Sequence, residues 1–253
     1  MTQCPKCSYV RTAADAHIPD GVCPSCGIAY AKWQPPQEEV ASLDDAESFN
    51  KLSETTSSDE TLKEKIAFWL FDVPDRIDPL VFWSRALAYV IFFIWGWWFI
   101  FTWGSWQDIG NSFLHSINLP FHEFGHVIFR PFGHFMTILG GSLFQIMMPL
   151  IVLVVFLKQG DAFEASIMLW WTGQNFIDLS PYIADAEYRG LPLIMGMGED
   201  SHDWGNLLSM MGMLDKAWLL GKTSFAIGSI IIIASFAWGG YILFRQKQNT
   251  SSW

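Results

Sequence analysis

A mostly α-helical membrane protein of several spans, preceded by a small metal-held N-terminal module, is the fold class this sequence predicts. Three observations carry that prediction. All four cysteines fall within the first 26 residues, as two C-P-x-C pairs. Behind an acidic stretch the chain becomes a series of long apolar runs, so that 51% of its 253 residues are hydrophobic and 16% aromatic, with 14 Trp and 21 Phe. One of those runs carries His122-Glu123-Phe124-Gly125-His126, an H-E-x-x-H pattern in a segment with no Lys or Arg between Arg85 and Arg130. A formal net charge of −10 argues against nucleic acid as a partner.

Residues 1–33 come first. Cys4/Cys7 and Cys23/Cys26 form two knuckles whose separation fits a small zinc ribbon. So short a segment cannot build a hydrophobic core, and tetrahedral thiolate coordination of one structural Zn²⁺ would supply most of its folding free energy. Paired cysteines of this kind read as ligands in a reducing compartment rather than as disulfides. MTQCPKCSYV also lacks the basic and apolar regions of a cleaved signal peptide. Through CPSCGIAYAKW the segment resembles the rubredoxin-like zinc ribbons that open many bacterial membrane proteins. Ser8 stands where such knuckles usually carry Gly. The resemblance implies a docking or regulatory module for a cytoplasmic protein partner, on a protein of the bacterial plasma membrane.

Residues 34–62 follow as an acidic flexible linker: Pro35-Pro36, then Glu, Asp, Ser and Thr with few large apolar groups, too little to bury for independent folding. The helical membrane domain is expected over 63–253. It opens on LKEKIAFWLFDV, an amphipathic run suited to the membrane interface. Five apolar stretches come next: Val81 to Trp103, Ser112 to Phe132, Phe135 to Leu157, Phe163 to about Ile183, and Thr223 to Phe244. Trp95, Trp97, Trp98, Trp103 and Trp106 are expected in an aromatic belt at the far end of the first. Asp185 to Lys222 is mixed, with a re-entrant or interfacial helix expected around Trp204 to Leu214. Lys63, Lys65, Arg76 and Arg85 place the N-terminus in the cytoplasm. Arg245 and Lys247 favour the same side, which five full crossings would not allow, so one stretch is expected not to be a simple span.

The chemistry is concentrated in HEFGH. Histidines four apart lie on one face of a helix, so both imidazoles of His122 and His126 can reach one metal ion. The adjacent Glu123 can then take a proton from a water on that metal. A carboxylate and two histidines at lipid depth are costly unless paired or metal-bound. A catalytic zinc needs a third protein ligand, and several residues can supply it. His202 stands in Glu199-Asp200-Ser201-His202-Asp203-Trp204, where Ser201 and Asp203 otherwise read as caps of the following helix. His115 and His134 read as interfacial polar residues.

Taken with the segments that follow it, HEFGH resembles the site-2-protease-like intramembrane metalloproteases. The order is HEFGH, then GGSLFQIMMP at 140–149, then GQNFIDLSPYIADA at 173–186, with Ala184-Asp185-Ala186 where the family carries Leu-Asp-Gly. The resemblance implies a third zinc ligand at Asp185 or Asp178, and a substrate-binding role for Asn175. It also implies backbone irregularity in 140–149 where a substrate strand docks, and a transmembrane protein substrate unwound locally in the lipid bilayer. Two other classes stay open: a non-enzymatic membrane scaffold with a structural ribbon, and a transporter using Glu123, Asp178 and Asp185 as an ion path.

Overall fold

The computed structural model describes residues 3–16, 18–30, 58–74, 76–192 and 201–249. Among the described residues the protein is mostly helical, with eight α-helices and no strand. It divides into two compact units, within Met1–Ser58 and within Asp59–Trp253. The part of the expected linker from 34 to 57 lies outside the described residues, as do Glu199 and Asp200 of the acidic cluster.

The N-terminal unit is two matching hairpin knuckles. Isolated antiparallel bridges join Gln3 to Val10 and Val22 to Ala29. In the first knuckle Cys4 N–H donates to the Tyr9 carbonyl and Ser8 N–H to that of Cys4; Cys23 and Gly27 repeat the pattern with Ile28 and Cys23. The repeat explains Ser8. It holds φ +59°, the counterpart of Gly27 at +70°, so a residue with a Cβ occupies a left-handed position that favours glycine. Arg11 ties the intervening loop down by donating to the carbonyls of Asp15, Ile18 and Pro19.

The second unit begins with α1 (Ser58–Phe71), ahead of the boundary expected at residue 63. Ile66, Phe68, Trp69 and Phe71 are exposed on it, and its end is fastened where Trp238 Nε1–H donates to the Leu70 carbonyl. Then come α2 (Pro79–Phe101), the short α3 (Trp106–Gly110), α4 (Phe113–Phe129), α5 (His134–Gln159), α6 (Ala162–Ala184), α7 (Asp203–Met211) and α8 (Ala217–Gln248). Asp78 caps α2, its carboxylate accepting from Leu80 N–H with Pro79 at the first helical position. Ser112 caps α4 through His115 N–H.

Three segments are long and apolar enough to cross a membrane: Pro79–Phe101, His134–Gln159 and Leu214–Gln248. Only 11% of the first is buried inside the protein, so its Leu80, Trp83, Leu87, Ile94 and Phe101 form a surface suited to lipid rather than water. At 1.5 Å per residue α8 is about 48 Å long and outruns a hydrocarbon core of about 30 Å. The other two expected stretches differ. α4, with 17 residues, is too short to count as a span, and α6, which buries Gln174, Asn175, Asp178 and Ser180, is not apolar enough to count as one. α6 buries its polar side chains inside the bundle, whereas α4 turns His122 and Asn118 inward and leaves Phe113, Phe124 and Val127 exposed.

Close helix approaches at glycine build this interior. α6 packs most extensively on α8, where a Cβ on Gly173 would lie 2.7 Å from the Gly228 carbonyl oxygen. α4 meets α5 still more closely: a Cβ on Gly125 would lie 2.2 Å from the Gly140 carbonyl oxygen. The glycines of 140–149 therefore serve helix contact within a continuous α5, not an irregular strand-docking edge. The tryptophans divide as well. Trp95 and Trp97 pack on a core of Phe99, Trp170, Ile177, Ile232 and Phe236, and Trp106 lines a cavity, leaving Trp98 and Trp103 exposed. Period-3.6 geometry turns Trp95 and Phe99 onto one side of α2, against Trp170.

Candidate metal centres

Among the described residues, each unit holds one cluster able to bind a metal ion. In the N-terminal unit the four thiols lie within 4.8 Å of one another. The Sγ atoms of Cys4 and Cys26, and of Cys7 and Cys23, are 3.7 Å apart. That is far from a disulfide at about 2.05 Å. It matches the edge of a tetrahedron with metal–sulfur bonds of about 2.3 Å, roughly 3.8 Å. Burial opposes ionisation of Cys23, but the backbone N–H groups of Cys26 and Ser25 and the neighbouring thiols outweigh it and bring the thiol down to about 6. The N–H of Ile28 favours the Cys26 thiolate, yet burial and the thiols of Cys7 and Cys23 push that group up to about 12. One thiol in the cluster thus ionises at the expense of another, and a cation would relieve the conflict.

In the helical unit, His122 and His126 project from one face of α4 toward a carboxylate. Asp203 Oδ2 lies 2.9 Å from His122 Nε2 and 3.3 Å from His126 Nε2. These three donors lie within 4.8 Å of one another. The carboxylate that the fold brings to the histidine pair is therefore that of Asp203. It stands at the first position of α7, which packs on α5.

The protonation pattern of the site follows from what lies behind it. His126 Nδ1 is 2.8 Å from the Thr137 carbonyl, which can only accept, so Nδ1 carries the proton. His122 Nδ1 is 3.1 Å from Gln145 Oε1. The orientation of that amide is set by its other end, where Nε2 donates to Asp178 Oδ2 at 2.8 Å. Both Nδ1 atoms are thus donors, and both Nε2 atoms face one carboxylate oxygen, an approach that a proton on Nε2 or a shared cation can bridge. The backing at Nδ1 is the pattern of metal-binding histidines oriented from behind. α5 supplies the backing from one stripe of its surface: Thr137, Gly141 and Gln145, four residues apart. Gly141 has no side chain because there is no room for one; its Cβ would lie 2.6 Å from both Nε2 atoms.

The other expected ligands sit elsewhere. Asp178 is buried on α6, where its carboxylate takes Asn118, Gln145 and His115 as partners. It is joined to His122 only through Gln145. His202 is wholly buried, its Nδ1 accepting from Gly205 N–H as the cap of α7, and its Nε2 lies 3.4 Å from Asp185 Oδ2. The capping role expected of Ser201 and Asp203 thus belongs to His202, and the place beside the histidine pair expected of His202 is taken by Asp203. Asp185 also accepts from Leu191 N–H, so it ties down the chain after α6 and does not face the histidine pair. Asn175 is wholly buried, donates through Nδ2 to the Trp171 carbonyl, and does not line the cavity. His115 and His134 stand near the starts of α4 and α5, as expected, and both also line the cavity.

That cavity, about 550 Å³, opens beside the cluster. Its wall includes Glu123, His122, His126 and Asp203, the hydroxyl-bearing Tyr182, and the apolar Leu119, Ile138 and Leu179. Tyr182 oxygen accepts from Asp203 N–H at 2.8 Å, and its ring lies 4.4 Å from that of His202. Trp204 Nε1–H donates to Ser142 Oγ, pinning α7 to α5. The sequence signal for the carboxylate beside the histidine pair is the density of acids and histidine at 199–203, where the residue after His202 is the one that meets the two imidazoles.

Compared with protein-family models, curated proteins and solved structures, the chain matches none of them.

Proposed function

We propose that this protein is an intramembrane zinc metalloprotease of the site-2-protease-like kind, carrying a cytoplasmic zinc ribbon as a docking module. One observation supports the reading above the others: His122, His126 and Asp203 converge in the wall of a cavity that Glu123 also lines. Two imidazoles and a carboxylate are the ligand set of hydrolytic zinc sites, which keep a position open; four thiolates are that of closed structural ones. Zinc bound there would supply Lewis acidity, polarising a carbonyl and lowering the pKa of water.

The remaining steps belong to the chain. Glu123 is exposed in the cavity wall. It takes a proton from the attacking water and returns it to the leaving amine. Gln145 and the Thr137 carbonyl hold the imidazoles in the tautomer that offers Nε2 to the metal. The apolar part of the wall accepts side chains of a locally unwound membrane segment, and 550 Å³ is within the range for a few such groups. Asn175, enclosed between helices, takes no part.

The test is Glu123→Gln. In cells, wild-type and variant membranes are compared by quantitative peptide mapping of single-span proteins. Truncated products present with wild type and absent with the variant, at equal metal content, are expected. Identical profiles would leave the cluster a structural metal site in a scaffold.

A further inference from the structure

The reading of a hydrolytic metal site leaves one costly group unexplained. Asp178 is a carboxylate, 4% exposed, in the interior of the bundle. It touches neither metal-facing nitrogen, and burying it needs compensation. Its partners form an ordered series. On one side His115 Nδ1 lies 3.0 Å from Oδ1. On the other, Oδ2 accepts from Gln145 Nε2 at 2.8 Å and from Asn118 Nδ2 at 3.2 Å.

Every amide in this cluster has one allowed orientation. Trp171 Nε1 can only donate, and it reaches Asn118 Oδ1 at 2.9 Å, so Asn118 turns its NH₂ toward Gln174 Oε1 and Asp178. Asp178 Oδ2 accepts, so Gln145 turns its NH₂ toward it and its oxygen toward His122. The Gln145 oxygen accepts, so His122 carries its proton on Nδ1. A reversed Gln145 would offer N–H to Nδ1, drive the proton to Nε2 and close that nitrogen to a metal.

We infer that Asp178 is a positioning residue for the metal centre: acting through Gln145, it fixes the tautomer of His122 and so sets the affinity for the ion. The inference rests on the metal-site reading above and assigns Asp178 a task other than ligation. His115 closes the series on the cavity side, where it meets the edge of Trp106. His126 needs no such device, since a backbone carbonyl cannot reverse.

The test is metal binding by the full-length protein in detergent, stripped of metal and titrated with cobalt(II). Thiolate-ligated cobalt absorbs by charge transfer, so the ribbon's equivalent is counted apart from the nitrogen- and oxygen-ligated one. Asp178→Leu and Gln145→Met each remove the series with side chains of similar size. Each is expected to weaken the second equivalent by roughly 10- to 100-fold, the usual worth of a partner behind a ligating histidine. Because the two act in series, the double variant should lose no more than the worse single one. Asn118→Leu removes a neighbouring bond to Asp178 but leaves the series intact, and should keep wild-type affinity. Unchanged affinity in Asp178→Leu overturns the inference. So do additive losses in the double variant, or a loss in Asn118→Leu as large as in Asp178→Leu, since both mark general loosening of the bundle. Absence of any second equivalent in wild type instead overturns the metal-site reading itself.

Discussion

Replacing Gly141 by Ala adds one methyl group where the protein has least room for it. The added Cβ would lie 2.6 Å from His122 Nε2 and 2.6 Å from His126 Nε2, about 0.8 Å inside ordinary contact at 3.4 Å. Two responses are open. Either the imidazoles move off, or α5 retreats and stretches the bonds from His122 to Gln145 and from His126 to Thr137, now 3.1 and 2.8 Å. Retreat of α5 by that amount takes the first of these past 3.5 Å, and metal sites tolerate about 0.2 Å in their bond lengths. Either way the site fails, and we expect the second metal equivalent to bind at least ~100-fold more weakly, about 2.7 kcal/mol. The helix itself gains from the change, since Ala is better than Gly in a helix interior by about 1 kcal/mol. Loss of metal would therefore not reflect loss of α5. The assay is elemental zinc per chain after chelator competition, beside helix content by circular dichroism. Two full equivalents held with wild-type affinity would refute the placement of Gly141 behind both ligands.

Other substitutions separate the two centres. Asp203→Ala should abolish the second equivalent, while His202→Ala, which frees the cap of α7 and removes the contact with Asp185, should weaken it by roughly 10- to 100-fold in the same titration. A Cys4→Ser/Cys7→Ser double variant should bind one metal fewer, with the equivalent at His122, His126 and Asp203 retained and the thiolate absorption of the cysteine cluster lost. Gly125→Ala forces a Cβ to within 2.2 Å of the Gly140 carbonyl and should destabilise the bundle by about 1–3 kcal/mol, read as a lower unfolding midpoint in detergent.

Local spacing carried a good deal of this protein. Two cysteine pairs, and two histidines four residues apart, define their clusters wherever the rest of the chain goes, because a knuckle and a helical turn each fix geometry within a few residues. The apolar runs at 81–103, 135–157 and 223–244 likewise correspond to helices of spanning length, since composition alone sets that property. What spacing could not reveal is everything that depends on which helix lies against which. The carboxylate beside the histidine pair comes from Asp203, on a short helix packed against α5, while Asp178 is engaged by Gln145 and Asp185 by the Leu191 backbone. Thr137, Gly141 and Gln145 look like any stretch of an apolar helix until α4 is laid across them. A ligand's identity follows from short-range periodicity only when all its partners share one turn; once they sit on separate helices, the close contacts at Gly125, Gly140 and Gly141 decide which side chains meet.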